Sequence, residues 1–403
     1  MKSFNRILAI LLCILFTLPL GSCSASNQEN ELIDGDVSML PLINNEILTI
    51  YDINNNVIGE IEHYGMIIQT EDSIVYTQLP DGSTDSIDEM AYYRYVLDTK
   101  ENIKLGTVKN WSYQNSNKVY VNDRLYFFVA TDVNDSQERT LKFCEVDFKS
   151  NTMREIFSDK GGFPYNAMAL VGNHKIIYTK ILENETRLME YNVETEENTL
   201  LKSFAFDDDG LKGETIRQVS SDENTISLLV LAMQSEDQVA LRIDRYDHDM
   251  NYITSIDVTS LSSDPNELRQ GVGYFQVYHD YVYYENFSIS RFLGRMEEDA
   301  LKQVAETDYN FSLISSAFNN FDKTLFYQAY TKSNDIYCLD YADGTLKKTQ
   351  FHAPDEERYS LVNAYTDQNN HLALVMSYRD PDTAEFLEPR LYYIKLSDLE
   401  FSA

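Results

Sequence analysis

The chain has 403 residues, with 33 Lys and Arg against 65 Asp and Glu, so its formal net charge is −32 at pH 7. This charge excludes binding to nucleic acid or to anionic lipid by electrostatic attraction, because both polyanions are repelled. A cationic partner, a neutral sugar or a metal ion stays open as a ligand. The acidic surface also has a simpler interpretation, since dense like charge keeps an exposed protein soluble.

The first 22 residues have the three parts of an export signal. Lys2 and Arg6 precede an apolar run, Ile7 to Leu18, which is too short to cross a bilayer comfortably. The next segment, Leu20-Gly21-Ser22-Cys23, resembles the bacterial lipobox. This resemblance implies that the cysteine is lipidated and holds the mature chain on the outer face of the bacterial cytoplasmic membrane. The alternative is an ordinary secretory signal with an incidental cysteine.

The segment after the cysteine is polar and has no apolar period at its start. It predicts a flexible tether over residues 23–45, and residues 46–403 are left as one domain. Cys144 and Cys338 lie far apart in strand-like runs, so we expect two small buried hydrophobes and no disulfide framework. Few cysteines, together with abundant Asn, Asp, Lys, Ile and Tyr, are typical of a Gram-positive surface protein.

One unit recurs along the domain at a spacing of roughly 45 to 55 residues. Each unit has a strand of β-branched and aromatic residues, and a second strand that often ends in an acidic or amide turn follows it. The conspicuous strands begin at Ser73, Arg124, Lys175, Ile226, Tyr281, Thr324 and Leu372. Four short strands per unit predict an all-β fold, a single β-propeller of seven blades. Six or eight blades and a pair of β-sandwich domains are the alternatives.

The two ends of the domain complement each other. Residues 46–52 and 57–61 are typical of the outer two strands of a blade without the inner two, and only residues 399–402 follow the last clear strand. Pairing the first segment with the last blade removes two exposed sheet edges. We therefore predict a ring that is closed by N-terminal and C-terminal strands.

Two units resemble the bacterial surface propellers of the low-density-lipoprotein-receptor-like type. In that family a Tyr-rich strand leads to a strand that ends in Asp-Gly and then Lys-Lys. The match here is Leu325-Phe326-Tyr327 and then Leu339-Asp340-Tyr341-Ala342-Asp343-Gly344-Thr345-Leu346-Lys347-Lys348, with a looser copy over residues 281–304. The resemblance implies a scaffold that binds proteins or glycans, and it brings no functional residue with it.

A search for reactive motifs predicts no catalytic residue, no metal site and no cofactor. The six histidines lack the paired spacing of a zinc protease, and neither a Gly-x-Ser-x-Gly elbow nor a Gly-rich phosphate loop is present. The acidic run over residues 207–210 could hold calcium, but a solvated turn is the simpler interpretation. The sequence therefore predicts that the chain is not an enzyme.

A binding site is expected on the ring face that carries the loops between the second and third strands and between blades. The long loops 80–89, 131–138 and 379–388 would belong to three adjacent blades and form one wall. The predicted ligand contacts on this face are Trp111, Tyr113, Arg379, Asp81, Asp85, Asp132 and Asp380. For Trp111, packing between blades is the alternative.

The predicted function is that of a lipid-anchored extracellular binding or interaction protein with a non-catalytic propeller and a protein or glycan ligand. Its contact with the membrane is predicted to be through the lipid on Cys23 only. The alternative is a carbohydrate-active enzyme at the cell surface, a glycan hydrolase or lyase. A third interpretation is an assembly or sensor component that works beside a membrane partner.

Overall fold

Each repeated unit of the sequence folds into one β-sheet, and the sheets follow one another around a ring. The computed structural model describes residues 47–62, 64–70, 72–78, 89–109, 111–133, 138–160, 168–207, 212–235, 238–261, 264–269, 272–286, 291–297, 300–305, 311–316, 323–328, 334–351, 358–366, 371–380 and 386–402. The predicted signal peptide, residues 1–22, lies outside these ranges. The predicted tether, residues 23–45, and the lipidation residue Cys23 lie outside them as well.

The sheets are the blades of a seven-bladed propeller, which confirms the predicted fold class and blade count. Blade 1 contains β3 (Tyr64–Thr70), β4 (Ser73–Gln78), β5 (Glu89–Val96) and β6 (Glu101–Lys109). Blade 2 contains β7 (Trp111–Val121), β8 (Arg124–Val133), β9 (Glu138–Asp147) and β10 (Thr152–Lys160). Blade 3 contains β11 (Met168–Val171), β12 (Lys175–Ile181), β13 (Glu185–Asn192) and β14 (Asn198–Ala205). In these three blades neighbouring strands run antiparallel, and the strands follow one another in chain order from the inner to the outer edge.

Blades 4 to 7 continue the pattern around the ring. Blade 4 contains β15 (Gly213–Ser221), β16 (Thr225–Met233), β17 (Val239–Asp247) and β18 (Tyr252–Asp257), and blade 5 contains β19 (Val272–Tyr278), β20 (Tyr281–Asn286), β21 (Arg291–Glu297) and β22 (Ala300–Ala305). Blade 6 contains β23 (Phe311–Leu313), β25 (Lys323–Gln328), β26 (Asp335–Asp340) and β27 (Thr345–Gln350). Blade 7 contains β28 (Tyr359–Thr366), β29 (His371–Arg379) and β30 (Phe386–Lys395), and β1 (Leu48–Tyr51), β2 (Val57–Ile61) and the short β24 (Ser315–Ser316) join its sheet.

The strands that stand out in the sequence are the second strands of the blades. A second strand lies between two others and packs against a neighbouring blade on both faces, so it is buried almost throughout, as in β16. Outer strands such as β14 show little alternation between buried and exposed residues, and most of their residues are exposed or half-buried. Aromatic rings fill the space between blades: Phe128 of blade 2 lies 5.2 Å from Tyr178 of blade 3, measured between ring centroids.

The ring closes where the N-terminal hairpin joins blade 7, as predicted. β1 pairs with β30 through three residues, with Ile50 opposite Leu391, and β2 continues the sheet outward. The β1–β30 pairing is parallel, which the sequence pattern did not reveal. At the C-terminus, Ser402 bridges to Lys348 on the outer strand of blade 6. Both chain ends therefore cover sheet edges, on two neighbouring blades.

The β1–β2 turn has the same hydrogen bonds as a turn between two outer strands of blade 4. Asp52 accepts a hydrogen bond from the backbone N–H of Asn56 at 2.8 Å and another from its side chain at 2.8 Å. Asp247 and Asn251 form the same two bonds at the same distances in the turn between the third and fourth strands of blade 4. The shared Asp-x-x-x-Asn pattern therefore marks an outer-strand turn in both places.

Polar contacts also join the blades. Glu145 of blade 2 is 3% exposed and accepts hydrogen bonds from Arg154 at 2.8 Å and from the Tyr126 hydroxyl at 2.8 Å. Arg154 also bonds to Glu196 of blade 3 at 2.6 Å. The buried carboxylate thus has its partners within the protein, and its arginine connects two blades.

Two smaller features complete the description of the domain body. A short helix, α1 (Pro265–Arg269), lies between blades 4 and 5, and turns of 3-10 helix lie at Thr259–Leu261 and Leu396–Asp398. Cys144 and Cys338 are buried thiols, as predicted, and burial raises the pKa of the Cys144 thiol to about 12. Among the described helices, none has the length and apolar character that crossing a membrane requires.

Candidate functional site

The predicted site face, here called the upper face, carries the loops between the second and third strands and between blades. Seven residues of this face were predicted to contact a ligand. The backbone of five of them lies at or near strand ends on the upper face: Trp111, Tyr113, Asp132, Arg379 and Asp380. Of these, only Asp380 also has a described side chain. Asp81 and Asp85 lie outside the described residues.

The three blades predicted to form one wall are neighbours. Tyr365 of blade 7 shares a buried cluster with Ile67 of blade 1, and Tyr92 of blade 1 shares the next cluster with Phe127 of blade 2. Closure of the ring thus brings the described strand ends of blades 7, 1 and 2 that flank these loops to consecutive positions on the upper face. That the predicted residues contact a ligand stays a prediction.

Blade 7 has a group of interacting polar side chains on this face, which we call the rim cluster: Arg358, Tyr359, Glu388 and Arg390. Arg358 donates a hydrogen bond to Glu388 at 2.8 Å, and the Tyr359 hydroxyl donates to the other carboxylate oxygen. The guanidinium of Arg390 lies 4.0 Å from the centroid of the Tyr359 ring. Glu388 ends the loop that the sequence predicted as ligand-binding.

The backbone places Glu388 in an unusual conformation. Tyr378 pairs with Leu387 and Met376 pairs with Arg390, so Glu388 and Pro389 together oppose one residue of β29, as in a β-bulge. The φ angle of Glu388 is 53°, in the left-handed region that residues other than glycine rarely adopt. Such a conformation costs about 1 kcal/mol or more, and here it accompanies the bulge in β30.

Charge and burial give the members of the rim cluster different protonation states. The hydrogen bond from Tyr359, with the nearby Arg358 and Arg390, lowers the pKa of Glu388 below its usual value. Burial, followed by the bond to Glu388, raises the pKa of Tyr359 to about 12. At neutral pH the carboxylate is therefore ionised and the phenol keeps its proton.

The ionised carboxylate and its arginine also reach solvent. The side chain of Glu388 is 47% exposed and that of Arg358 is 50% exposed, whereas Tyr359 is buried beneath them. An exposed acceptor beside an exposed cationic donor suits a ligand rich in hydroxyl groups, because each hydroxyl both donates and accepts.

None of the four residues of the rim cluster was named as a ligand contact from the sequence, although Glu388 ends one of the predicted loops. The available signal was Glu388-Pro389 within a strand-like run, because a proline inside a strand marks an edge or a bulge. Elsewhere, the described residues include no group of three or more His, Cys, Asp or Glu side chains that could hold a metal ion.

Solved structures share the propeller fold at low sequence identity. An oligogalacturonate lyase from Vibrio parahaemolyticus is 14% identical, with 84% of this chain and 90% of that chain covered and a TM-score of 0.42. The β-propeller domain of the Trilobed protease from Pyrococcus furiosus is 16% identical, with 75% and 90% covered and a TM-score of 0.43. A prolyl endopeptidase is 10% identical, with 82% and 53% covered and a TM-score of 0.46.

The match to the endopeptidase is partial, because this chain spans about half of that protein's length. No protein-family model matches the sequence, and no curated protein matches it.

These similarities correct one prediction. The sequence predicts a non-catalytic chain, whereas the similar structures are named as a lyase and as peptidases. The prediction that the chain is not an enzyme is contradicted to this extent: proteins that share its fold are named as enzymes. At identities between 9% and 16% the similarity describes the fold and assigns no reaction to this chain.

Proposed function

We propose that this chain is a lipid-anchored protein of the cell surface that binds a glycan at the rim cluster of blade 7 and hydrolyses it. The observation that carries the proposal is Glu388. It is an ionised, half-exposed carboxylate, held in a left-handed backbone conformation between an arginine and a tyrosine at the edge of a loop predicted to bind a ligand. A neutral glycan also agrees with the acidic composition, which disfavours polyanionic ligands.

The state of Glu388 favours hydrolysis over elimination. A lyase needs a base that takes up a proton, and a carboxylate of lowered pKa is a weak base. Glycoside hydrolysis instead passes through a positively charged, oxocarbenium-like transition state, which an ionised carboxylate stabilises. Glu388 is suited to that role, while Arg358 binds and orients sugar hydroxyls.

Hydrolysis by this route requires a second carboxyl group, and Asp380 is the candidate. Arg379 and Phe386 pair at the end of the β29–β30 hairpin, so Asp380 begins the loop and Glu388 follows its end. Asp380 was among the ligand contacts predicted from the sequence. In the proposal the two acids flank the scissile bond, with Asp380 as the acid that protonates the leaving oxygen.

A glycan screen tests the proposal. The full chain is incubated with a panel of neutral polysaccharides and peptidoglycan fragments, and released reducing ends are measured. We expect turnover of at least one glycan, and a loss of about a hundredfold or more in Glu388→Gln. The matched control is Glu194→Gln, an exposed glutamate in a turn on the opposite face of blade 3, which should keep full activity.

Two results contradict the proposal. If no glycan in the panel is bound or cleaved, the ligand class is wrong. If Glu388→Gln is as active as the parent chain and the Glu194→Gln control, the rim cluster is not the site.

The location of the protein is part of the same proposal. The apolar run and the lipobox-like Leu20-Gly21-Ser22-Cys23 support lipid anchoring. The lipid would supply the membrane attachment, because the acidic domain itself is repelled by an anionic bilayer.

A further inference from the structure

The outer strand of blade 4 is an open sheet edge. β18 pairs with β17 on one side and ends the sheet on the other. Such an edge presents backbone N–H and C=O groups that another strand can bind, and proteins usually protect it with lysines, with proline or with a covering segment. The C-terminus covers the corresponding edge of blade 6, where the backbone of Ser402 bonds to that of Lys348.

β18 has less protection than the other outer strands. Among the strands that the structure describes, the outer strands of blades 1, 2, 3, 5 and 6 each contain lysine, and β2 of blade 7 contains Glu60. β18 has the sequence Tyr-Ile-Thr-Ser-Ile-Asp, so its only charge is on the final residue, Asp257. Tyr252 is 61% exposed and Ile253 is 50% exposed. Apolar side chains therefore meet solvent on an edge whose interior has no charge.

The register of β17 and β18 shows which backbone groups of the edge face outward. Val258, which follows β18, donates its N–H to the carbonyl of Leu241 at 2.8 Å, so these opposite residues form a bonded pair. Opposite residues in an antiparallel pair alternate between bonded and unbonded pairs. Ile256 therefore bonds to β17, whereas Ser255 and Asp257 point their N–H and C=O groups away from it. Both of these residues are exposed, so an added strand can reach two donors and two acceptors.

Charge determines the kind of strand that suits this edge. Asp257 is exposed at one end of β18, and Asp249 is exposed in the turn before its other end. The whole chain has a formal net charge of −32. A basic segment is attracted to such a surface, whereas a second copy of the acidic chain is repelled from it. The edge is therefore better suited to a cationic partner than to self-association.

We propose that β18 binds an extended, positively charged segment of a partner protein as a fifth strand of blade 4. The main chain of the segment pairs with Ser255 and Asp257, and its apolar side chains contact Tyr252 and Ile253. Its basic side chains lie near Asp257 and Asp249. This surface is the outer edge of blade 4, so the inference does not depend on the glycan proposal for the rim cluster of blade 7.

A synthetic peptide tests the proposal on the full chain. The probe is Lys-Val-Lys-Val-Lys-Val-Lys with blocked ends, and its binding is measured by calorimetry and by hydrogen exchange. We expect binding to slow the exchange of the Ser255 and Asp257 amides by roughly tenfold or more. The control is the same peptide with an N-methyl group on every residue, which keeps the charge but has no backbone N–H to donate.

Variants of the edge identify the binding strand. Ser255→Pro removes one outward N–H and keeps the bonds to β17, since proline is tolerated at such a position of an edge strand. Its matched control is Ser255→Ala, which loses only the hydroxyl that donates to Asp244 at 2.7 Å. We expect Ser255→Pro to bind the peptide roughly fivefold more weakly or worse, and Ser255→Ala to bind it as the parent chain does. Ile253→Lys, which places a charge on the edge, should also weaken binding.

Four results overturn the inference. The first is a lysine–valine peptide that does not bind. The second is equal binding of the methylated peptide, which would mean attraction by charge alone. The third is binding that leaves the exchange of the Ser255 and Asp257 amides unchanged. The fourth is a dimer of the parent chain that Ser255→Pro separates, because a second copy would then occupy the edge.

Discussion

Ring closure by the N-terminal hairpin leads to the sharpest prediction on stability. Ile50 of β1 is fully buried and packs with Ile61 of β2 and with Leu391 of β30. Replacing Ile50 by alanine removes three carbon atoms, each worth about 0.8 kcal/mol of transfer free energy. The cavity left behind adds to this loss, so we expect Ile50→Ala to destabilise the folded chain by about 3 kcal/mol.

The hairpin also supplies its own control. Val57 of β2 is 51% exposed, so Val57→Ala should change the free energy of unfolding by less than about 0.5 kcal/mol. Urea unfolding followed by circular dichroism measures both variants, and limited proteolysis shows whether the ring ends open. The reasoning is refuted if Ile50→Ala is no more destabilising than Val57→Ala, because the hairpin would then not hold the ring closed.

Three further predictions concern other parts of the chain. Glu145→Ala should cost about 2 kcal/mol or more in urea unfolding, since it leaves Tyr126 and Arg154 without a buried partner, and a cost below about 0.5 kcal/mol would contradict this. Lys118→Met should be more stable than the parent chain by a few kcal/mol at pH 7 and by progressively less towards pH 10. The reason is that the unfolded parent chain binds more protons than the folded one between the lowered pKa of Lys118, about 7, and the usual value of about 10.4. A stability difference that does not vary with pH would count against a buried, neutral Lys118. Cys23→Ala should release a folded chain into the medium, and retention in the membrane fraction would argue against the lipid anchor.

The repeat could be found from sequence because burial in a propeller follows strand position. Second strands are covered on both faces and become nearly continuous apolar runs, as in Ile226–Val230 of blade 4. The spacing of these strands predicted the number of blades. The incomplete blade segments at the two ends of the domain predicted how the ring closes. The parallel pairing of β1 with β30 could not be predicted, because backbone hydrogen bonds between distant strands leave no mark on the side-chain pattern.

The candidate site was predictable only as a region. Loop length drew attention to residues 379–388, but the φ angle of Glu388 depends on how β30 bulges against β29. Lys118 reads in the sequence as an ordinary polar residue between Asn117 and Val119. The Lys118 side chain lies over the ring of Tyr365, which is 247 positions later in the chain, and no local sequence pattern predicts that contact.

The most direct test of the central claim is hydrogen exchange of the full chain, with and without the glycan that gives the strongest signal in the screen. The account predicts slower exchange of backbone amides at the start of β28 and of β30, around Arg358 and Glu388, and no change in the outer strands of blades 3 and 4. Protection elsewhere on the ring, with none around Glu388, would contradict the assignment of the site to blade 7.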